Sequence, residues 1–250
     1  MTRLFRSLLF VPGNNTRFLE KAKTIQADIV CFDLEDSIPD SEKVTARNLI
    51  KNALKSRSQY APDVYVRTNS PVSGKIPDDL EQIVQKGIDG IVIPKVNNSK
   101  ELLKIEKIIT SLEKKRKLGP VSLIPSIESA SGVVNAYDIA SCSKRISALV
   151  FGVFDLLNDM EIEYTKQPEG AKYARAKISL DAKAAGVYAI DAIWQDLKDE
   201  KGLKEDCVIG KTLAMLGKAS YILIKYQSLM RHSCQTSQKL NGPTKSVTHT

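Results

Sequence analysis

The side chains in this chain that could do chemistry stand at the ends of its apolar runs. Asp33, Glu35 and Asp36 follow the run that begins at Ile29, in the stretch CFDLEDS. Arg67 closes VYVR, Lys95 follows Pro94 in GIVIPKV, Glu128 closes VSLIPSIE and Asp155 closes ISALVFGVFD. Imidazole is missing from this set. The 250 residues include two histidines, His232 and His249, both among the last twenty. A Ser-His-Asp triad, a Cys-His pair and a histidine-ligated zinc are therefore excluded from the body of the chain. Chemistry there has to run on carboxylates, Arg, Lys, backbone amides or a hard cation held by oxygen.

Glu128 and Asp155 lie 27 residues apart, the length of one strand–helix unit. At the ends of adjacent parallel strands, about 4.8 Å apart, both carboxylates can reach one ion. Carboxylate oxygens without imidazole suit Mg2+, which keeps water and takes its remaining ligands from substrate. Gly132 opens the loop after Glu128, and Gly152 relaxes the strand before Asp155. Taken singly, either acid would also serve as a helix N-cap or a loop ion pair. Arg67 can bind a carboxylate bidentately and stabilise a developing oxyanion, and it can equally pair with Asp33 or Glu35 on the neighbouring strand. Lys95 is open to two roles, a Schiff-base amine or a rim lysine facing phosphate. In VPGNNTR, Pro12, Gly13 and Asn14 lead to Arg17 at the entry to a helix. That is a place for a phosphate or pantetheine contact, and also ordinary turn chemistry.

These residues need a scaffold that gathers strand ends. Short apolar runs recur at 7–13, 28–36, 64–69, 90–96, 121–129, 146–155, 187–194 and 218–224. Helical patterns lie between them, such as TRFLEKAKTI, SKELLKIEKIITSLEKK and ARAKISLDAKAAG, the last closing on a glycine suited to a helix C-cap. Near-continuous β-branched runs are strands buried on both faces, and their alternation with helices means a parallel sheet. Eight such units predict an α/β fold of the (β/α)8 TIM-barrel type. A doubly wound open sheet is the other arrangement, but no GxGxxG follows any run. No Pro/Gly/Ser-rich linker interrupts the pattern, so a single domain is expected over 1–220. In a barrel the C-terminal strand ends converge on the face that carries active sites. Pro12–Asn14, the acids at 33–36, Arg67, Lys95, Glu128, Asp155 and Asp191 are thus expected on one rim.

Composition sets the outer bounds. Hydrophobic residues make up 42% of the chain, enough for a substantial core. The apolar runs are far too short to span a bilayer, and SLLFVPG reads as a strand rather than a signal-peptide core. A cytoplasmic protein without a membrane partner is expected. The cysteines, Cys31, Cys142, Cys207 and Cys234, show no CxxC spacing and are expected as core thiols. A formal charge of +8 rests mostly on lysines at helical spacing, with a mild pull on anionic small molecules. With 6% aromatic residues and no RNP, zinc-finger or helix-turn-helix signature, nucleic-acid binding is not expected.

The stretches RSLLFVPGNNTRF, DIVCFDLEDSI, VRTN, GIVIPKV, IPSIESASGV, LVFGVFDL and YARAKISLDAKAAG occur in that order over about residues 3–220. As a set they resemble the citrate lyase β-subunit-like family, which includes malyl-CoA and citramalyl-CoA lyases. The resemblance implies a Mg2+-dependent TIM barrel that makes or cleaves carbon–carbon bonds between an acyl-CoA enolate and a 2-oxo acid. It implies Glu128 and Asp155 as metal ligands, and Arg67 on the oxo acid and thioester oxygen. The loop from Pro12 to Arg17 would face CoA, and Asp33, Glu35 and Asp36 would orient Arg67 and the ion's waters. The partners expected are an acyl-CoA thioester, a 2-oxo acid and further copies of the chain. A class II aldolase on free 2-oxo acids and a catalytically inactive barrel subunit are the competing readings.

The resemblance stops near the C-terminus. Family members carry an Ile-His-Pro segment at the end of strand 8 and then a helix. Here the chain turns rich in Ser, Thr and Gln instead. Tyr221 to Met230 can be encoded as TAC ATC CTA ATC AAG TAT CAA TCA TTA ATG. Read two bases on, that string gives His-Pro-Asn-Gln-Val-Ser-Ile-Ile-Asn. AGG CAT TCN for Arg231 to Ser233 continues it with Glu-Ala-Phe. These codons are chosen from a degenerate set. The expectation is a one-base frameshift near Ser220 and a non-native tail over 221–250, against a genuinely divergent C-terminus. A shifted frame would replace helix 8 and any lid, from which lidded family members draw a catalytic Asp. It would leave His232 and His249 without function.

Overall fold

Eight parallel strands close on themselves in chain order. They are β1 (Ser7–Pro12), β2 (Ile29–Asp33), β3 (Asp63–Arg67), β4 (Gly90–Ile93), β5 (Ser122–Ile127), β6 (Ala148–Phe151), β7 (Tyr188–Asp191) and β8 (Gly217–Ser220). The helices are α1 (Thr16–Ala22), α2 (Lys43–Lys55), α3 (Ile76–Ile83), α4 (Ser99–Arg116), α5 (Ala130–Val134), α6 (Ala136–Ser141), α7 (Val153–Asp159), α8 (Glu169–Ala184) and α9 (Glu200–Thr212). The structure, a computed structural model, describes residues 5–166, 168–196 and 198–221. The expected TIM barrel is the observed fold. Each apolar run holds one strand, and every strand ends before its run does. Gly13 and residues 34–36, 68–69, 94–96 and 128–129 already belong to the loops of the barrel mouth, and 153–155 to α7.

Side chains alternate across each strand. Leu8, Phe10, Ile29, Cys31, Tyr65, Val92, Ile124, Ala148, Val150, Ile190 and Ala219 fill the barrel interior. Their neighbours, such as Leu9, Val11, Val30, Phe32, Val64 and Val66, face outward into a larger core with the helices. The inward line runs on at the C-terminal end from Cys31 to Asp33, from Tyr65 to Arg67, from Ile124 to Glu128 and from Val150 to Gly152. Register then decides who meets whom. Asp33 pairs in register with Arg67 across β2 and β3, and Ile127 with Phe151 across β5 and β6.

The same alternation overturns one expectation. Asp191 follows the inward Ile190, so it points away from the mouth into the helix layer. There Arg175 Nε donates to Asp191 Oδ1 at 2.8 Å, and Lys218 Nζ donates to Oδ2 at 3.0 Å. Asp206 completes the cluster, pairing with Arg175 at 2.8 Å and with Lys218. This buried four-charge cluster ties β7 and β8 to α8 and α9.

Cys31, Cys142 and Cys207 are free thiols, the first and last buried, as expected. Burial pushes the Cys31 thiol well up. Cys234, both histidines and the tail after Tyr221 lie outside the described residues. Among the described residues no helix is long and apolar enough to cross a membrane.

Candidate active site

The stretch that follows β2 is folded around one carboxylate. Asp33 accepts hydrogen bonds from the amide of Glu35 at 2.9 Å, the amide of Ser37 at 3.1 Å and the Ser37 hydroxyl at 2.6 Å. Its two oxygens also take Arg67 Nε and Nη2, both at 2.7 Å. Burial opposes the charge on Asp33, but the Arg67 guanidinium and these donors outweigh it and hold the carboxyl below its usual range. The remaining edge of Arg67 is held less closely. Nη1 lies 3.2 Å from Glu35 Oε2 and 3.3 Å from Asp36 Oδ2, and Nη2 donates to the Tyr221 hydroxyl at 3.0 Å. Arg67 also lies over the Phe10 ring, 4.7 Å from its centroid. The two roles weighed for Arg67 thus share one side chain. Its Nε/Nη2 edge is a structural pair with Asp33, and its Nη1 side is the part a ligand can take.

Two further acids enter from the other side of the mouth. Glu128, directly after β5, is buried, and its Oε2 has no hydrogen-bond partner. Both oxygens of Glu35 are buried and likewise lack hydrogen-bond partners. Burial raises Glu128 to about 8, and the charges of Glu35 and Asp155 add to it against Arg67 and Lys95. Burial likewise raises Glu35 to about 7, against the pull of Arg67. Gly152 makes the room for Glu128: a Cβ there would sit 2.4 Å from Glu128 Cγ. Asp155 does not end β6, as its position in the apolar run implied. It lies four residues beyond, in the first turn of α7, where a carboxylate complements the helix dipole.

Lys95 bridges the two sides. Its Nζ lies 3.2 Å from Glu35 Oε1, 3.2 Å from Asp155 Oδ1 and 3.5 Å from Asp36 Oδ1. Partial burial opposes its charge, but the three carboxylates prevail and hold the amine protonated well above its ordinary value. A Schiff-base role needs the neutral amine, so the geometry disfavours it.

The loop from Pro12 to Arg17 uses several of its own donors. Gly13 N donates to Asp33 O at 3.0 Å, and Asn14 Nδ2 to Glu42. Asn15 caps α1 by accepting from Arg17 N and Phe18 N. What this loop offers a ligand is mainly the exposed Arg17 side chain. Two contacts were not foreseen. Lys43, buried at the start of α2, donates to the carbonyls of Leu34 and Glu35 at 2.6 and 2.7 Å and fixes the acidic loop from behind. Nothing local in the sequence marks that role. The other is Tyr221 on Arg67, from the segment read as tail.

The donor set fits a hard divalent cation. It is all oxygen, and Glu128 offers a buried carboxylate oxygen with nothing else to bind. Among the described residues no group of three His, Cys, Asp or Glu side chains forms a ready-made metal site. A site here would take few protein oxygens and fill its shell with water and substrate, as Mg2+ sites do.

Residues 6–221 match the family model described as HpcH/HpaI aldolase/citrate lyase. The chain belongs to this family. It is 35% identical over 221 residues to citrate lyase subunit beta of Leuconostoc mesenteroides subsp. cremoris, covering 87% of this chain and 72% of the relative. It is 32% identical over 214 residues to (3S)-malyl-CoA thioesterase of Cereibacter sphaeroides, covering 86% and 72%. Among solved structures, the citrate lyase beta subunit of M. tuberculosis complexed with oxaloacetate and magnesium has a TM-score of 0.77. That likeness covers 93% of this chain and 97% of the other at 22% identity, and so concerns the fold. Family membership accounts for the barrel and for the order of the motifs along it.

Proposed function

We propose that this chain is a Mg2+-dependent carbon–carbon lyase that cleaves a 3-hydroxyacyl-CoA into an acyl-CoA and a 2-oxo acid. The observation that carries the reading is a pair of buried acids at the mouth beside Arg67: both oxygens of Glu35 and Oε2 of Glu128 lack hydrogen-bond partners. Relatives named for citrate lyase and malyl-CoA, and a fold neighbour complexed with oxaloacetate and magnesium, support it.

Glu128 and Asp155 would hold the ion, which when bound lowers the pKa of the substrate hydroxyl and aligns the bond to be broken. As that bond breaks, the hydroxyl loses its proton and becomes the carbonyl of the oxo acid. The departing carbon becomes a thioester enolate. Arg67 stabilises the enolate oxygen through Nη1 while Asp33 keeps the other edge of the guanidinium fixed. Glu35, near neutrality, is suited to exchange a proton at the mouth. No covalent nucleophile is required, so a body without histidine is no obstacle. Arg17, exposed at the start of α1 after the loop that follows β1, would meet the phosphates of CoA.

Residues 1–220 form the lyase domain in this reading, and 221–250 are the product of a changed reading frame. The family match ends at residue 221, beside the proposed shift, which supports it. Sequencing the coding DNA tests the frame. The activity test is a cleavage panel of malyl-, citramalyl- and citryl-CoA, with and without Mg2+, on this chain and on a frame-restored version. Mg2+-dependent release of acyl-CoA and 2-oxo acid is expected. Turnover of free 2-oxo acid aldols without turnover of any thioester would point to a class II aldolase. No turnover by either version would leave a binding subunit.

A further inference from the structure

Four non-glycine residues among those described have positive φ: Lys95, Lys117, Glu161 and Ala214. Lys117 caps α4, and Glu161 and Ala214 lie just past the ends of α7 and α9. The left-handed region is the ordinary way to end a helix. Lys95 has no such reason. It follows β4 and Pro94, at φ 53, where an L-residue costs roughly 1–2 kcal/mol. Strain of this kind persists only where surroundings impose it, and it gathers at functional sites.

The surroundings are specific. The next residue is tied to β5 by Val96 N donating to Ser126 O at 3.2 Å. The Lys95 ammonium reaches acids from two separate elements, Glu35 and Asp36 after β2 and Asp155 on α7. Asp155 is one of the two proposed metal ligands. Apart from its ion pairs with Lys95 and Arg67, Glu35 has no hydrogen-bond partner on either carboxylate oxygen. An ammonium and a divalent cation bound to Asp155 therefore draw on the same negative charge at close range.

We propose that Lys95 is a positioning residue whose ammonium serves as the resident counter-cation of the acid cluster and is displaced from Asp155 by the divalent cation. This inference rests on the metal site of the proposed function. In metal-free protein the lysine keeps Asp155, Asp36 and Glu35 from repelling one another. On metal binding it leaves Asp155 and remains at the mouth as a mobile positive charge.

The test compares wild type with Lys95→Met and Lys95→Gly. Methionine removes the charge and keeps the backbone strain, whereas glycine adopts the left-handed backbone freely. Mn2+ is titrated and followed by the EPR signal of the free ion, and thermal midpoints are read in EDTA and in saturating Mn2+. Both variants are expected to bind Mn2+ about tenfold tighter, the effect of removing a unit charge roughly 5 Å from a divalent ion under water-like screening. The Lys95→Met midpoint should fall in EDTA and return toward wild type with Mn2+, and Lys95→Gly, relieved of the backbone strain, should lie above Lys95→Met in both conditions. Unchanged or weaker affinity, or a Lys95→Met midpoint lowered equally in both conditions, would show a permanent structural ion pair and overturn the inference. Glu128→Gln separates it from the metal assignment. Wild-type Mn2+ affinity in Glu128→Gln, together with tighter binding by the Lys95 variants, would sink Glu128 as a ligand and leave the competition standing. Absence of Mn2+ binding in wild type and both Lys95 variants would remove both.

Discussion

Gly152→Ala is the substitution that most directly probes the site. Gly152 has φ −104 and ψ 91, backbone that any L-residue adopts, so the change introduces no conformational strain of its own. Its whole effect is the added methyl. That carbon would lie 2.4 Å from Glu128 Cγ, 2.9 Å from Cδ and 3.2 Å from Oε1. Carbon atoms pack at about 3.5–4.0 Å. The Glu128 side chain must therefore move by about 1 Å, whereas ligand distances in metal sites hold to about 0.2 Å. Overpacking of this kind costs about 1–3 kcal/mol of stability. A 1 Å misplacement of a reacting group lowers turnover by about 100-fold. Urea unfolding reads the first, and kcat with a Mn2+ titration reads the second. A Gly152→Ala protein with wild-type kcat and Mn2+ affinity would refute the reasoning, because Glu128 could not then be held where the site needs it.

Three further perturbations address the electrostatics and the frame of the site. In metal-free protein Glu35 and Glu128 are raised from 4.5 to about 7 and about 8, so between those limits the folded state binds more protons than the unfolded chain. Stability in EDTA should therefore fall as pH rises from about 5 to about 8, and a thermal midpoint that is flat or rising over that window would contradict the burial of these carboxyls. Asp191→Asn breaks a buried ion cluster on the helix side and should cost about 3–5 kcal/mol in urea unfolding while kcat of the folded protein stays unchanged; a loss of kcat at intact stability would return Asp191 to the mouth. Lys43→Met leaves the carbonyls of Leu34 and Glu35 without their buried donor. It should cost about 1–3 kcal/mol and lower kcat more than Lys43→Arg does; equal kcat for Lys43→Met and wild type would show that the acidic loop holds itself.

The barrel was legible because its information is local. Eight apolar runs separated by amphipathic segments admit few parallel folds, and each run proved to hold a strand. Polar residues at the C-terminal ends of those runs pointed to the right face for the same reason. The pairing of Asp33 with Arg67 was one of two open readings, and strand register brought it about. Asp191 was misplaced because β-strands buried on both faces are apolar on both. No alternation in YAID says which side is inside, and one residue of parity sends the carboxylate to the helix layer. Asp155 reads as a strand end in sequence, yet it enters the site from the first turn of a helix.

What the chain determines by itself is therefore the number and order of its strands, the face that carries chemistry and the absence of imidazole from its body. Those follow from periodicity and residue type. Only the closed barrel decides that Gly152 must be small, that Lys95 reaches acids on two sides of the mouth, and that Glu35 and Glu128 are driven toward neutrality. Each of these depends on the distance between atoms far apart in the chain and on the exclusion of water between them. Neither quantity exists until the eighth strand meets the first.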